Sequence, residues 1–379
     1  MRARVFCLLR FGLCLGLGIW DLGFLARGFA ADELPRDPTK PKESYPGVEV
    51  IYDTVIAPNR QKLRAIITRP EGSQGKLPVI FLAGWLSCDT VEAPEGTKDA
   101  SGLAFRNLVT LPGYCTFRID KFGVGDSEGD CGKTDFDTEL AAYRAAFRSL
   151  ANYDFIDSTQ VYILGVSNGG GFAPLIAETE TELQHVQGFV VVGGWVKTWF
   201  EHMLEIERRR FTLMGRSPAQ VNERMKGVAT LYHELLFKNR PASDILSMQP
   251  KLVDLWPDGA DRQHLYGRPL AFYQQLQKLN LAAAWSKVKV PTLVLHGQYD
   301  WIMSREDSEI ITRIVNDNTS GAARFVELPD TGHTFQHYQN MADAFAGKEA
   351  PFDSNVTRVI TDWFKQQTEK SVPATKSET

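Results

Sequence analysis

Three cofactor motifs are missing from the sequence. It has no glycine-rich phosphate loop, no Cys-x-x-Cys pair and no His-Glu-x-x-His zinc motif, so it implies no cofactor and no metal. A strong charge of either sign is also missing, because 42 basic residues stand against 46 acidic ones and leave a formal net charge of −4. This balance gives no reason to expect a nucleic acid or an anionic membrane surface as a partner.

The N-terminal region has no long uninterrupted apolar run. The run from Phe11 to Trp20 lies between Arg10 and Asp21, well short of the ~20 residues that a membrane-spanning helix needs. Preceding arginines and the small residues that end at Ala30 predict a secretory signal over residues 1–30, cleaved after Ala30. We therefore expect a secreted or periplasmic protein with no integral membrane span after cleavage. An uncleaved N-terminal membrane anchor is the alternative.

The polar ends of the mature chain are predicted to lie outside the fold. Residues 31–46, rich in Pro, Lys, Asp and Glu, indicate a flexible lead-in, and residues 371–379 indicate a polar tail.

Between these ends, apolar runs alternate with segments of helical spacing. Two strand-like runs joined by a turn at residues 57–60 predict an antiparallel hairpin over Val48–Ile56 and Leu63–Thr68. Buried-strand patterns follow at Pro78–Ala83, Tyr114–Ile119, Val161–Leu164, Val186–Val192, Val290–Leu295 and Ala323–Leu328. Helical spacing covers Ser101–Thr110, Phe136–Leu150, Glu306–Val315 and Val356–Gln366. This order predicts an α/β fold with a mostly parallel sheet covered by helices on both faces.

One long segment breaks the alternation. From Trp195 to Trp285 polar and aromatic residues mix at helical spacing, and no strand of convincing length is visible. We expect a helical cap insertion over residues 195–285, with the core formed by residues 47–194 and 286–370. Sites of parallel sheets form beyond the carboxyl ends of the strands, so the functional residues are expected on the loops at those ends.

The run Val161–Leu164 leads into Gly165-Val166-Ser167-Asn168-Gly169, a G-x-S-x-G pattern. A serine hydroxyl becomes a usable nucleophile when it sits on a very tight strand-to-helix turn, which leaves no room for side chains two positions away. The pattern makes Ser167 the candidate nucleophile. The alternative is a glycine-rich turn with no chemical role.

Such a serine needs a base, and the base needs a carboxylate to orient it. Asp300 follows the strand that ends near His296, and His333 follows the next strand. We predict Asp300 as the acid and His333 as the base. The competing bases are His296, which lies on a strand, and His337, which could line the pocket. The competing acids are Asp307 and Asp330.

Five motifs in this order give the chain a specific resemblance. They are Gly84, the loop Asp120-x-x-Gly123-x-Gly125-x-Ser127, the serine motif, Leu295-His296-Gly297-x-x-Asp300, and Gly332-His333. From about Val48 to Gln366, excluding the insertion, the sequence resembles the α/β-hydrolase superfamily, nearest to its serine aminopeptidase and monoglyceride-lipase-like branch.

The resemblance implies an α/β-hydrolase fold with an inserted cap and an oxyanion hole made of backbone N–H groups. These would belong to Trp85 and Asn168, with Leu86 as another possible donor. Ala83 stands where the family usually has a histidine before the glycine, so this loop departs from the family pattern.

Cys88 comes just after the strand that leads to the oxyanion hole, and Cys131 just after the Gly123–Ser127 loop. Since the ends of neighbouring strands lie close together and an exported protein meets oxidising conditions, a Cys88–Cys131 disulfide is predicted. Cys115, within a buried strand, is predicted to be a free thiol. Three reduced cysteines are the alternative.

The predicted pocket residues come from the start of the cap. Trp195 and Trp199 would form apolar walls, as expected for a small-molecule site. Glu201 has no obvious partner, whereas Glu205 can pair with Arg209 four residues later on a helix. Glu201 is therefore the residue that could hold the ammonium group of a peptide substrate.

Together these features predict an exported serine hydrolase. We expect a carboxylesterase that cleaves small or medium acyl esters, so its partner is a small-molecule ester. A serine aminopeptidase of the proline iminopeptidase type is one alternative. A non-catalytic binding protein on the same fold is the other.

Overall fold

A central sheet of eight strands organises the chain. The computed structural model describes residues 34–36, 38–257 and 261–371. The strands are β1 (Val48–Ile56), β2 (Lys62–Pro70), β3 (Leu77–Ala83), β4 (Cys115–Ile119), β5 (Ile156–Val166), β6 (Val186–Val192), β7 (His264–Leu265), β8 (Arg268–Pro269), β9 (Thr292–Gly297) and β10 (Ala323–Leu328). The order in the main sheet is β1-β2-β4-β3-β5-β6-β9-β10, and β7 and β8 form a separate small hairpin. Strand β2 is antiparallel to both of its neighbours, and the other pairs of the main sheet are parallel.

Helices connect most of the strands. They are α1 (Ala100–Leu108), α2 (Phe136–Ser149), α3 (Asn168–Phe172), α4 (Glu180–His185), α5 (Trp199–Leu213), α6 (Pro218–Leu236), α7 (Ala242–Met248), α8 (Leu270–Leu276), α9 (Leu281–Trp285), α10 (Arg305–Asn318), α11 (Met341–Phe345) and α12 (Ser354–Ser371). Short 3₁₀ turns lie at Cys131–Lys133, Leu150–Asn152, Ala173–Leu175 and Pro250–Leu255.

Strand β3 shows why both sheet faces are covered. Successive side chains of a strand point to opposite faces. Val79 and Phe81 pack in the hydrophobic cluster that contains α2, while Ile80 and Leu82 pack in the cluster that contains α1 and α12. All four side chains are buried. A strand with no polar alternation is therefore the central strand of a two-sided sheet, and the predicted fold class is confirmed.

Strand β9 begins two residues later than the sequence pattern predicts. The sequence pattern placed this strand at Val290–Leu295, and the structure begins it at Thr292. Pro291 lies just before this start, and proline has no N–H to donate to a neighbouring strand. The apolar run therefore begins before the hydrogen-bonded ladder does.

The segment between β6 and β9 is helical, as predicted for a cap. It holds α5 to α9, and the hairpin of β7 and β8 was not expected from the sequence. The described residues all fall in one compact unit, so the cap is not a separate one. The cap boundaries of 195–285 stay a prediction.

The lead-in predicted to be flexible is held against the core over its described residues. Glu43 is 4% exposed, and its carboxylate accepts hydrogen bonds at 2.9 and 2.7 Å from the buried Arg118 of β4. Arg36 pairs with Glu92 at 2.6 Å and with Asp126 at 3.1 Å. The charged residues whose abundance indicated flexibility instead form ion pairs with charged side chains of the fold.

Two predictions fall outside the described residues. These are the signal segment 1–30, with its cleavage after Ala30, and nearly all of the polar tail. Within the described ranges, no helix is both long enough and apolar enough to span a membrane.

Candidate active site

Ser167 occupies the tight turn between β5 and α3. Its backbone lies at φ 55° and ψ −120°, a left-handed region that favours glycine. A Cβ on Gly165 would come within 2.7 Å of Gly169 O, and a Cβ on Gly169 within 2.1 Å of Ala83 O. The two glycines of the motif are therefore required by close backbone packing. Ser167 is 6% exposed and lies at the floor of a covered cavity.

The three predicted triad residues meet at hydrogen-bond distances. His333 Nε2 lies 3.0 Å from Ser167 Oγ, and His333 Nδ1 lies 2.7 Å from Asp300 Oδ2. The backbone N–H groups of Ile302 and Met303 each donate to Asp300 Oδ1 at 2.9 Å. With a proton on Nδ1, the imidazole donates to Asp300 and can accept the serine proton at Nε2.

Burial and charge act against each other on this pair. Burial opposes the imidazolium form of His333, but the charge of Asp300 and the hydrogen bond to it outweigh this effect and raise the pKa of His333 above 6.5. Burial also opposes ionisation of Asp300, but the charge of His333 and the hydrogen bonds to Asp300 lower its pKa below its usual value. Asp300 is therefore ionised at neutral pH.

The competing residues have other roles. Asp307 accepts hydrogen bonds from Val196 N at 2.9 Å and Lys197 N at 3.0 Å, so it fixes the start of the cap. His337 is exposed, and His296 is buried on β9. Burial lowers the pKa of His296.

Asp330 lies on the loop before His333, at a positive φ of 58°. Its backbone N–H donates to Gln298 Oε1 at 2.9 Å. Among the described residues, no group of three or more His, Cys, Asp or Glu side chains could hold a metal ion.

Asn168 begins α3 directly after the serine. The first N–H groups of a helix have no acceptor within the helix, so its backbone N–H is free for an oxyanion. The Asn168 side chain is fully buried, and its Oδ1 accepts from Trp195 Nε1 at 3.1 Å. Trp195, which does not line the cavity described below, thus holds the residue that follows Ser167.

The other predicted donor lies on the 84–91 loop, which follows β3. Gly84 N donates to Tyr143 Oη at 3.1 Å at one end of this loop. At the other end, the Asp120 carboxylate accepts from Val91 N at 2.8 Å and from Thr90 Oγ1 at 2.9 Å. Between these ends, Lys121 Nζ donates to the carbonyl oxygens of two loop residues, Trp85 and, at 2.7 Å, Ser87.

A disulfide also ties down the 84–91 loop. It joins Cys88 to Cys131, the predicted pair, and leaves Cys115 as a buried free thiol. The buried Arg268 of the cap donates to Cys131 Sγ at 2.6 Å and pairs with Glu139 of α2. The loop, the disulfide and the cap hairpin are therefore packed together.

A cavity of about 900 Å³ opens over Ser167. One face of α5 forms its roof, with Trp199, His202, Met203, Ile206 and Arg210 at helical spacing. The 84–91 loop, the start of α1, the loop after Asp300 and the His333 loop form the other walls. The lining is mainly apolar, which suits an organic substrate of small or medium size.

Comparison with known proteins agrees with this geometry. The family model of the alpha/beta hydrolase fold matches residues 78–339. The chain belongs to the α/β-hydrolase family. A search of curated proteins found no match. The serine aminopeptidase and monoglyceride-lipase-like branch stays a prediction.

Solved structures share the hydrolase fold at low sequence identity. Est1E from Butyrivibrio proteoclasticus with bound ferulic acid is 16% identical, with a TM-score of 0.53 over 84% of this chain and 99% of Est1E. A hypothetical protein from Pseudomonas aeruginosa is 14% identical, with a TM-score of 0.50 over 88% of this chain and 99% of that one. These likenesses show the fold.

Two of the three predicted pocket residues of this α/β hydrolase do not line the cavity. Trp199 lines it, whereas Trp195 lies behind the Ser167 turn, where it contacts Asn168. Glu201 is exposed, and its carboxylate accepts from Thr198 N at 3.0 Å in a capping box at the start of α5. Residues two apart on a helix point about 200° away from each other, so Glu201 faces away from Trp199.

Sequence reasoning missed two cations that hold the hydrolase loops. Lys121 binds the 84–91 loop, and Arg209 of α5 donates to the carbonyl oxygens of Trp301 at 2.8 Å and Ile302 at 2.7 Å. Arg209 also pairs with Glu205 at 3.7 Å, as predicted. A buried charge next to a strand needs partners, so the position of Lys121 two residues after β4 indicated that it has partners but did not identify them.

Proposed function

We propose that this protein is an exported serine carboxylesterase that cleaves small or medium acyl esters. The observation that carries the proposal is the continuous relay from Ser167 Oγ through His333 to Asp300, at 3.0 and 2.7 Å. These distances suit proton transfer from a nucleophile to a base. A protein that only binds a ligand on this fold would have no use for such a relay.

The proposed reaction begins when Ser167 Oγ attacks the carbonyl carbon of the ester and His333 takes the serine proton. The oxyanion formed accepts hydrogen bonds from the backbone N–H groups of Trp85 and Asn168. His333 then gives its proton to the leaving alcohol, which leaves an acyl group on Ser167. A water molecule, deprotonated by His333, attacks this ester and releases the acid.

The charges around the cavity favour an ester over a peptide. An aminopeptidase holds a substrate ammonium group, which calls for a carboxylate free to pair with it. Among the described residues, each carboxylate that lines the cavity has a hydrogen-bond partner: Ser87 Oγ donates to Asp89 at 2.5 Å, Arg36 to Glu92 at 2.6 Å, and Gly102 N to Asp99 at 2.7 Å. Glu201, the expected ammonium ligand, caps α5 instead.

The disulfide supports the export part of the proposal. Disulfides persist in oxidising compartments and are rare in the cytosol, and the Cys88–Cys131 bond joins two described loops beside the site. Expression of the full chain in a bacterial host tests this point. We expect the protein in the periplasmic fraction with an N-terminus at Ala31, and retention in the membrane fraction with residues 1–30 attached would support the anchor instead.

Covalent labelling tests the chemistry. A fluorophosphonate should label the wild-type protein at Ser167 and should not label Ser167→Ala, which removes one hydroxyl. Turnover by this variant should fall by about 10⁴- to 10⁶-fold, while its melting curve stays close to that of the wild type. Labelling at another residue would refute the nucleophile.

A substrate panel tests the reaction class. We expect p-nitrophenyl acetate and butyrate to be cleaved much faster than alanine or proline p-nitroanilide. Methyl ferulate belongs in the panel because Est1E binds ferulic acid. Faster cleavage of the anilides would make the protein an aminopeptidase. Binding of these compounds without any turnover would favour the non-catalytic alternative.

A further inference from the structure

The side chain of Lys121 is buried beneath the loop that carries a proposed oxyanion donor. Lys121 is the second residue after β4 and is 5% exposed. Its Nζ donates to Trp85 O and, at 2.7 Å, to Ser87 O, and it lies 5.9 Å from the centre of the Trp85 ring. Among the described residues, its hydrogen bonds go to backbone carbonyls and none goes to a carboxylate. The ammonium group therefore serves the loop and does not form a salt bridge.

These contacts fix the peptide group that matters for the oxyanion hole. A peptide bond is planar and trans, so the Trp85 carbonyl and the Leu86 N–H point in opposite directions. Holding the Trp85 carbonyl therefore orients the Leu86 N–H, and it also restricts the backbone of Trp85, whose own N–H is the proposed donor. Lys121 controls the geometry whichever of the two N–H groups meets the oxyanion.

Among the described residues, the other hydrogen bonds that hold the 84–91 loop do not involve this peptide group. Tyr143 holds Gly84 N, the disulfide holds Cys88, and Asp120 holds Thr90 and Val91. Each of these contacts lies before or after the stretch from Trp85 to Ser87. Among the hydrogen bonds described for this loop, only those of Lys121 hold the carbonyl group of Trp85, whose ring also packs against Phe105 at 5.4 Å.

We propose that Lys121 is a positioning residue for the oxyanion hole, and that the hole is well formed only while its ammonium group is charged. The inference rests on the proposed esterase function. Hydrogen bonds from a charged donor are roughly twice as strong as those from a neutral one. Loss of the charge leaves weaker bonds to Trp85 O and Ser87 O, so the loop relaxes and the oxyanion is less well stabilised.

The surroundings place this change at an accessible pH. Burial lowers the pKa of Lys121 to about 8. The charged groups that face it act in both directions: Glu139 of α2, Asp89 of the loop and the neighbouring Asp120 raise this pKa, while Arg268 of β8 lowers it. The wild-type enzyme should therefore lose activity as the pH rises through about 8, although a rising pH increases the neutral fraction of His333, the form that acts as the base.

Two substitutions separate charge from packing. Lys121→Met keeps the length and most of the volume of the side chain but removes the ammonium group. Lys121→Arg keeps a cation that does not deprotonate in this range. Lys197→Met is the matched control, because Lys197 is also largely buried but bonds Glu205 and Glu306 away from the 84–91 loop.

The experiment measures kcat and KM for p-nitrophenyl butyrate from pH 5 to 10, with a melting curve at each pH. We expect the wild type and Lys197→Met to show an alkaline fall with a midpoint near 8. Lys121→Met should have a kcat reduced about tenfold or more at pH 7, a KM within about threefold of the wild type, and no such fall. Whatever activity Lys121→Arg retains should also lack it.

Several results would overturn the inference. A wild-type activity profile that stays flat from pH 7.5 to 9.5 would overturn it. This test needs no variant, so it remains decisive if Lys121→Met fails to fold. An unchanged alkaline fall in either Lys121 variant would overturn it as well. Absence of turnover and of labelling at Ser167 in the wild type would refute the esterase function itself, whereas turnover with an unaltered profile refutes only the role of Lys121.

Discussion

The indole nitrogen of Trp195 lies 3.1 Å from Oδ1 of Asn168, and Asn168 is the residue whose backbone N–H is proposed to meet the oxyanion. This hydrogen bond holds the first residue of α3 from the side opposite to the substrate. The contact therefore links a tryptophan outside the cavity to the chemistry inside it.

Trp195→Phe should lower kcat about tenfold with a smaller effect on KM, because it releases Asn168 and Trp195 itself does not line the cavity. It should also destabilise the fold by about 1–3 kcal/mol, because a buried acceptor loses its partner. Trp285→Phe is the control, since Trp285 Nε1 donates to Gly171 O at 3.1 Å in the same region. Equal losses of kcat in both variants would show a general packing effect.

The rate should depend on pH through His333. This side chain accepts the serine proton only when neutral, and its pKa is raised above 6.5 by the charge of Asp300. Activity should therefore fall as the pH drops through a midpoint above 6.5. Asp300→Asn removes the charge and leaves burial to act alone, so the residual activity, about 10⁴-fold lower, should show a midpoint below that of the wild type.

His333→Ala should abolish this activity, and His337→Ala should leave both the rate and the midpoint unchanged, because His337 is exposed outside the cavity lining. Kinetics with p-nitrophenyl butyrate between pH 4.5 and 8 give all of these values. Loss of activity in His337→Ala with full activity in His333→Ala would identify a different base.

The Cys88–Cys131 disulfide should stabilise the protein. It closes a loop with a sequence separation of 43 residues, for which the chain-entropy model gives about 4 kcal/mol. Cys88→Ser combined with Cys131→Ser should lower the free energy of unfolding by up to that amount in urea titrations. Cys115→Ala, which removes the free thiol, should not alter the pair of peptides joined in a non-reducing digest, and an unlinked Cys88 in that digest would contradict the structure.

Glu201→Gln should leave ester hydrolysis within about twofold of the wild type, because Glu201 lies outside the cavity and caps α5. The change weakens the capping box with Thr198 and should cost about 0.5–1 kcal/mol of stability. Kinetics and thermal melts measure the two effects. A selective loss of anilide hydrolysis would instead restore Glu201 as an ammonium ligand.

The fold and the meeting of Ser167, His333 and Asp300 at hydrogen-bond distances were predictable from the sequence because both depend on local rules. Gly165 and Gly169 are required by backbone distances around Ser167, and the order of Ser167, Asp300 and His333 follows the order of the strands. A short motif at the end of a parallel strand can be placed from the sequence alone, because the carboxyl ends of these strands lie at one edge of the sheet.

The cavity was harder to predict because it depends on how α5 is rotated. Trp199 and Met203, four residues apart, share the face that lines the cavity, and Glu201 lies on the opposite side. The pattern Thr198-x-x-Glu201 is itself a capping signature, so this error was avoidable. The contacts of Lys121 and Arg209 were not readable, because backbone carbonyls are the same in every sequence.

Ser167 has a thermodynamic consequence beyond catalysis. A side chain held at φ 55° costs roughly 1–3 kcal/mol, and glycine would adopt this backbone freely, at a smaller cost of about 0.5–1 kcal/mol from the greater freedom of the unfolded chain. The protein should therefore be more stable, and inert, with Ser167→Gly. Retaining a serine at this position for activity would therefore keep the free energy of unfolding below the value that glycine would give.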